Sequence, residues 1–97
     1  MAKGYWVVRV DVTDPETFKA YQVVVGPFLA ANNGRFLVRG GQYTVSEGQA
    51  RARTVVVEFP SYDAALKAYE SAEYQAAIAL RRDASTLDFV IVEGYEG

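Results

Sequence analysis

Charged residues within the strand-like apolar segments of this sequence are the candidates for chemistry. Arg39 lies in the segment FLVRGG, Glu58 interrupts TVVVEFP, and Arg9 lies within YWVVRVDV. A carboxylate among valines is costly to bury without a cation, whereas a guanidinium can hold an anion through two parallel hydrogen bonds. These side chains could therefore bind an anionic ligand. Alternatively, Glu58 could accept a proton while an arginine stabilises the oxyanion that forms.

The residue types that are missing narrow this chemistry. The sequence contains no His and no Cys, which removes the usual general base, the usual haem ligand, cysteine metal sites and any disulfide. We therefore expect no metal and no cofactor. Catalysis would depend on carboxylate, Tyr, Lys or Arg side chains, and whether the chain is an enzyme stays open.

Length and charge indicate the general class of protein. The 97 residues allow one domain, residues 1–97, and the formal charge of −2 gives no reason to expect nucleic acid or an anionic membrane as a partner. The longest apolar runs have the length of strands, so no membrane span is expected. The first residues lack the apolar region of a signal peptide, and a cytoplasmic protein is therefore expected.

Alternating and helical periodicities predict the elements. The expected strands are 5–12, 35–40, 54–60 and 87–95, and the expected helices are 14–34, capped by Asp14, and two short ones capped by Ser61 and Ser71. A kink or a break is expected at Gly26-Pro27, and residues 43–45 of a hairpin arm are expected to extend the second strand. The order β-α-β-β-α-β predicts a ferredoxin-like α+β fold, with helices on one face of a four-stranded antiparallel sheet.

The second face of this sheet also carries apolar side chains. The segments TVVVEF and FVIV are almost continuously apolar, so both sides of these strands hold hydrophobic residues. At about 25 cal/mol per Å², exposing several Val and Tyr side chains would forfeit several kcal/mol. We therefore expect a homodimer in which a second copy covers this face.

The same reasoning predicts where the charged residues meet. The third strand is expected between the first and the second, so Glu58 would be flanked by Arg9 and Arg39 on the second face, which also carries Tyr5. One guanidinium could then still bind a ligand carboxylate, although a purely structural Arg–Glu pair is the alternative. Tyr74 and Arg81 lie seven residues apart and are expected on one side of a helix. Either they face the pocket mouth, or Tyr74 is a core residue and Arg81 a surface or interface charge.

Five segments together resemble a known family: GYWVVRVDVTDPETF, RFLVRGGQ, VVVEFPSYDAAL, SAEYQAAIALRR and DFVIVEGY. They are similar to the domain of unknown function thirteen-thirty family, which consists of small bacterial proteins in the dimeric α/β-barrel superfamily. The resemblance implies a ferredoxin-like protomer and a homodimer whose two sheets form a barrel, without an established activity. More distant relatives include cofactor-free monooxygenases, lactone isomerases and haem enzymes, and the absence of His separates this chain from the haem branch.

Three functions are compatible with these observations. One is a homodimer that binds a small polar or anionic organic molecule in a sheet-lined pocket, with Arg9, Arg39 and Glu58 orienting the molecule and Tyr5, Tyr74 and Arg81 as further contacts. Another is a cofactor-independent enzyme, either an oxygenase of an electron-rich aromatic or an isomerase of a small lactone. The third is a non-catalytic assembly module in which the polar residues only fix the register of the dimer.

Overall fold

The predicted order of elements is confirmed by a computed structural model of the protein, which describes residues 2–96. The elements are β1 Gly4–Val12, α1 Pro15–Ala31, β2 Arg35–Arg39, β3 Arg53–Phe59, α2 Tyr62–Glu70, α3 Ala72–Ile78 and β4 Ser85–Glu93. The strands form one antiparallel sheet in the order β2-β3-β1-β4, which places β3 between β1 and β2 as expected. The fold is therefore the α+β, ferredoxin-like arrangement.

Side-chain capping fixes where each helix begins. The carboxylate of Asp14 accepts hydrogen bonds from the backbone N–H and the hydroxyl of Thr17 at 3.2 and 2.7 Å, and a proline follows directly as the first helical residue. The hydroxyl oxygens of Ser61 and Ser71 accept from the backbone N–H groups three residues later. All three caps agree with the sequence, which explains why the helix starts were predictable.

The break considered at Gly26-Pro27 does not occur, because α1 continues through Pro27 as one helix. Proline leaves the carbonyl four residues earlier, that of Val23, without its helical partner. Both Pro27 and Val23 are exposed, so water can serve that carbonyl. The helix instead ends at Ala31, followed by its C-cap Asn32 and by Asn33, which adopts a φ of 63°.

The core forms between the helices and one side of the sheet, around Trp6. Its indole ring lies 5.0 Å from the ring of Phe59, 4.9 Å from that of Tyr74 and 5.1 Å from that of Phe89, measured between centroids. The indole N–H donates to the carbonyl of Ala65 on α2 at 2.8 Å. Tilted aromatic pairs of this kind each contribute about 0.5–1.5 kcal/mol beyond their buried area. Trp6 therefore lies in the core and also connects the sheet to α2.

The segment between β2 and β3 is not a strand extension, contrary to the expectation for residues 43–45. Residues 41–50 are all exposed and have no regular structure. Gly40 and Gly41 have φ values of 74° and 97°, which turn the backbone away from the sheet directly after β2. The end of this arm is held by Arg51, whose guanidinium forms ion pairs with Asp11 at 3.0 Å and Asp88 at 3.1 Å.

Two glycines provide a matched test of this packing. A Cβ on Gly4 would meet the backbone of Ser61 and lie 2.6 Å from the Cα of Tyr62, so Gly4→Ala should lower the free energy of unfolding by about 1–3 kcal/mol. A Cβ on Gly26, inside α1, would meet no atom within 4 Å, so Gly26→Ala should raise that free energy by about 0.5–1 kcal/mol. Urea unfolding measures both values. If Gly4→Ala raised the free energy of unfolding as Gly26→Ala is expected to do, the close contact between β1 and the start of α2 would be contradicted.

Candidate functional site

A β-bulge at Leu37 decides which side of the sheet Arg39 faces. Phe36 lies opposite Val57 and Val38 lies opposite Val56, which leaves Leu37 without a partner on β3. After this extra residue, Arg39 lies opposite Val55, on the side that faces the helices. The expectation that Arg39 faces away from the helices is therefore wrong, because one unpaired residue reverses the alternation for the rest of the strand.

Arg39 contributes instead to a cavity between the helices and the sheet. This cavity has a volume of about 50 Å³ and a mainly hydrophobic lining. Its polar lining residues are Tyr21, Gln22, Arg39, Arg53 and Arg81. Arg39 is exposed, and its guanidinium lies 4.3 Å from the ring centre of Phe36, whereas Arg81 is buried. The cavity therefore extends from the interior at Arg81 to the surface at Arg39.

Arg81 is the most unusual residue of this cavity. α3 ends at Ile78, and the turn that follows, rather than the helix, carries Arg81, so its expected position on the helix is wrong. The backbone N–H of Arg81 donates to the carbonyl of Ile78 at 3.0 Å, which closes the turn and directs the side chain inward. Only 8% of the residue is exposed, so it is not the surface charge that the sequence offered as an alternative.

The guanidinium of Arg81 has few partners. One nitrogen, Nη2, donates to the hydroxyl oxygen of Tyr74 at 3.5 Å, and the group lies 5.3 Å from the ring centre of Tyr21. Its Nε is buried and has no hydrogen-bond partner among residues 2–96. Burial alone would lower the pKa of Arg81, but the oxygens of Tyr74 and Tyr21 raise it above its ordinary value, so the group is a buried cation.

No carboxylate compensates the positive charge of this cavity within residues 2–96. The ion pairs found there involve other cations, namely Arg35, Arg51 and Lys67, and none involves Arg39, Arg53 or Arg81. Since an isolated charge is costly to bury, buried arginines are normally paired. The site is therefore electrostatically complementary to an anion.

Two phenols lie beside Arg81. The hydroxyl oxygens of Tyr21 and Tyr74 are 2.6 Å apart. Tyr74 is 1% exposed and lies in the core, as one of its two predicted placements had it. Burial, with a further contribution from Tyr74, raises the pKa of Tyr21 well above its ordinary value of 10, so this hydroxyl is neutral at physiological pH. The sequence indicates that Tyr21 faces inward, through its spacing from Phe18 and Val25, but contains no signal for this contact with another helix.

Glu58 lies on the opposite side of the sheet, and its neighbours differ from those expected. It is paired with Tyr5 on β1 and with Arg35 on β2. The hydroxyl of Tyr5 donates to its Oε2 at 3.0 Å and the Nε of Arg35 donates to its Oε1 at 3.0 Å. The predicted cluster of Glu58 with Arg9 and Arg39 is thus wrong, because the register and the bulge place Arg35 where Arg39 was expected.

Arg9 belongs to this second face but points toward the arm. It lies opposite Thr54 on β3 and Asp88 on β4, and its Nη2 donates to the carbonyl of Arg51 at 2.8 Å. Arg9 therefore helps to hold the segment between β2 and β3 against the sheet. Arg9 lies farther along β1 than Tyr5, which is the residue opposite Glu58.

A row of valines crosses the centre of this uncovered face. Val38 lies opposite Val56, Val56 opposite Val7, and Val7 opposite Val90, so the row includes one residue from each strand. Val90 is 54% exposed and Val38 is 38% exposed. The apolar second face inferred from the sequence is therefore present, with the Tyr5–Glu58–Arg35 group on one side of the row.

Two further classes of site are absent from the described part of the chain. Residues 2–96 contain no group of three or more acidic side chains that could hold a metal ion. Over the same range, no helix combines the length and the hydrophobicity needed to cross a bilayer.

Comparison with known sequences gives one match. The family described as "Domain of unknown function (DUF1330)" matches residues 3–95. No curated protein matches the chain.

Several solved structures share the fold. A protein of unknown function from Rhodopseudomonas palustris, RPA0582, superposes with a TM-score of 0.75 at 15% identity, over 99% of this chain and 85% of its own. SnoaB, a cofactor-independent oxygenase from Streptomyces nogalater, gives 0.64 at 18% identity, over 100% and 97%. A dimeric ferredoxin-like protein of unknown function from Thermobifida fusca gives 0.61 at 15% identity, over 95% and 89%. At these identities the similarity shows the fold alone.

The contacts of Glu58 predict a specific dependence on pH. The hydrogen bond from Tyr5, followed by that from Arg35, holds the pKa of Glu58 below its ordinary value of 4.5. A depressed carboxyl pKa stabilises the fold above that value, and this stabilisation is lost as the pH falls through the folded-state pKa. The free energy of unfolding of Glu58→Gln should therefore decline less steeply on acidification than that of the native protein.

Chemical unfolding at a series of acidic pH values measures this slope. Glu70→Gln is the matched control, since Glu70 is an exposed glutamate for which no ion pair is found within residues 2–96. Its acid profile should follow that of the native protein. Identical profiles for all three proteins would contradict the role assigned to the Tyr5–Glu58–Arg35 contacts.

Proposed function

Since this chain belongs to the family of Domain of unknown function (DUF1330), which brings no established activity, we propose a function from the cavity itself. The chain binds a small organic anion, with the anionic group next to Arg81 and the apolar part among the hydrophobic lining residues. The observation that carries this proposal is the buried, unpaired guanidinium of Arg81 at the inner end of the cavity. A bound anion would supply the missing counter-charge and an acceptor for the unpartnered Nε.

The dimensions of the cavity limit the ligand. About 50 Å³ exceeds the ~10–15 Å³ that a single water needs, but it holds only a few non-hydrogen atoms. A carboxylate on a short chain fits inside. A larger ligand would place its anionic end at Arg81 and extend past Arg53 toward the exposed Arg39, whose positive charges also favour anions.

The protein acts, in this proposal, as a homodimer through its uncovered face. The valine row supports this assembly, because exposed apolar side chains in a continuous patch are typical of interfaces. The Thermobifida fusca protein with the same fold is described as dimeric, which agrees with the proposal without showing it for this chain. The pocket does not depend on the dimer, since the helices and sheet of one protomer form its lining.

Catalysis on the bound anion is the second candidate. It is favoured by the guanidinium and neutral phenols in one cavity, which together could stabilise a developing oxyanion, and SnoaB shows that an oxygenase can have this fold. However, among residues 2–96 the cavity lining includes no carboxylate that could accept a proton, and Glu58 lies on the other side of the sheet. A catalytic role for Glu58 would need a partner protomer to close a second cavity over it. Binding is therefore better supported than turnover.

Substitution of Arg81 tests the binding proposal. Acetate, pyruvate and benzoate should raise the unfolding temperature of the native protein, whereas acetamide and benzamide should not, because binding stabilises only the folded state and requires the charge. Arg81→Met should abolish these increases. Without ligand, Arg81→Met should be as stable as the native protein or more stable by about 1 kcal/mol, since it removes an uncompensated buried charge.

The neighbouring residue offers a control of equal charge. Arg82 is exposed, so Arg82→Gln should retain the ligand-induced increases. If none of the carboxylates raises the unfolding temperature of the native protein, the binding proposal is rejected. If Arg81→Met responds to them as the native protein does, the anion binds elsewhere.

Substitution within the valine row tests the dimer. Val7→Lys places a charge at the centre of the row, next to Val56 and Val90, and should convert the dimer to a monomer. Val23→Lys, at a position 67% exposed on α1, should leave the dimer intact. Sedimentation equilibrium measures both masses, and a native protein that sediments as a monomer at micromolar concentration would disprove the assembly.

A further inference from the structure

We propose that the hydroxyl of Tyr21 donates a hydrogen bond to an oxygen of the ligand. Arg81 donates to Tyr74 and Tyr74 donates to Tyr21, and this series of hydrogen bonds orients the Tyr21 hydroxyl. The preferred ligand is then a carboxylate or an enolate, whose oxygens accept hydrogen bonds and donate none. This inference rests on the proposed function and specifies how the anion is recognised.

The direction of the series follows from hydrogen-bond chemistry. A guanidinium only donates, so the contact of 3.5 Å between Arg81 Nη2 and the Tyr74 hydroxyl makes the Tyr74 oxygen the acceptor. Each phenol carries one hydrogen, and the 2.6 Å contact between Tyr21 and Tyr74 uses one of these two hydrogens. One phenolic hydrogen therefore remains for another acceptor.

Burial determines which hydrogen remains. If Tyr21 donated to Tyr74, the hydrogen of the Tyr74 hydroxyl would have no acceptor. Tyr74 is only 1% exposed, and within residues 2–96 its hydroxyl contacts Tyr21 and Arg81, neither of which could then accept. An unsatisfied buried donor of this kind is unfavourable, because it loses its hydrogen bond to water without gaining another. If Tyr74 donates to Tyr21, the free hydrogen is that of Tyr21, which lines the cavity. The second arrangement therefore presents a donor to the ligand.

The series also strengthens this donor. Hydrogen bonds arranged in one direction polarise each other, and here the first donor is a cation. Burial raises the pKa of Tyr21 and keeps its hydrogen in place, so the group donates at physiological pH. The inner end of the cavity then offers the Tyr21 hydroxyl and the unpartnered Nε of Arg81, both of them donors. A carboxylate satisfies both, whereas a primary amide would place N–H groups among donors.

Tyr21→Phe is the direct test, with binding of pyruvate and benzoate measured by isothermal titration calorimetry. Loss of a hydrogen bond to an anion should weaken binding of both carboxylates about tenfold or more. The preference for benzoate over benzamide should fall by the same factor, which a general loosening of the fold would not cause. Tyr69→Phe is the matched control, because Tyr69 packs on Tyr74 at 5.5 Å between ring centres but does not line the cavity.

Tyr74 is a positioning residue in this scheme, and a double-mutant cycle tests it. Tyr74→Phe should weaken carboxylate binding less than Tyr21→Phe does, since the Tyr21 hydroxyl remains but loses its orientation. The double variant should bind no more weakly than Tyr21→Phe alone, because Tyr74 acts through Tyr21. Losses that simply add would overturn the series.

The possible failures are distinguishable. A native protein that binds none of the carboxylates rejects the proposed function itself. A native protein that binds them, together with a Tyr21→Phe variant of equal affinity and equal preference for benzoate, rejects only the role of Tyr21. Retention of binding in Tyr21→Phe combined with its loss in Arg81→Met would assign recognition to the guanidinium alone.

Discussion

The helices of this protein cover one side of the sheet. This one-sided packing places its buried and its exposed charged residues in two different environments. On the covered side, the aromatic core around Trp6 encloses a cavity that contains an unpaired buried cation. On the uncovered side, the carboxylate of Glu58 is already satisfied by Tyr5 and Arg35. Because the backbone of the sheet separates these sides, Glu58 cannot neutralise the cation. In the proposed function, an anion from solution supplies the counter-charge.

Local sequence signals were sufficient to predict the helix starts, the covered face of β1 and the order of the strands. Asp14, Ser61 and Ser71 mark helix starts through side-chain hydrogen bonds that span three residues, and such contacts leave a direct trace in the sequence. The alternation of Trp6, Val8 and Val10 identifies the covered face of β1 in the same way, and these residues are buried. The order of the strands then follows from the chirality and brevity of the connections.

The candidate site was only partly predictable, because it depends on two features without a local signal. The bulge at Leu37 has no composition that distinguishes it from a regular strand residue, yet it transfers Arg39 from one face to the other. The end of α3 at Ile78 comes without a glycine or proline, so Arg81 reads as a continuation of the helix. In addition, Tyr21 and Tyr74 lie 53 residues apart in the chain, and their contact arises from packing between helices that periodicity does not specify.

Leu37 also shows that amino-acid type alone does not determine which face of the sheet a side chain of β2 occupies. Every side chain of β2 beyond it owes its orientation to a single unpaired residue. If Leu37 instead paired with Val56 in a regular ladder, Val38 would lie opposite Val55 on the side of the helices, and Arg39 would lie opposite Thr54 on the uncovered side. A chain shortened by one position at Leu37 would lose the bulge but keep Val38 and Arg39 on their present faces. The pairing of one residue, and not the identity of Arg39, therefore decides whether this guanidinium lies at the cavity.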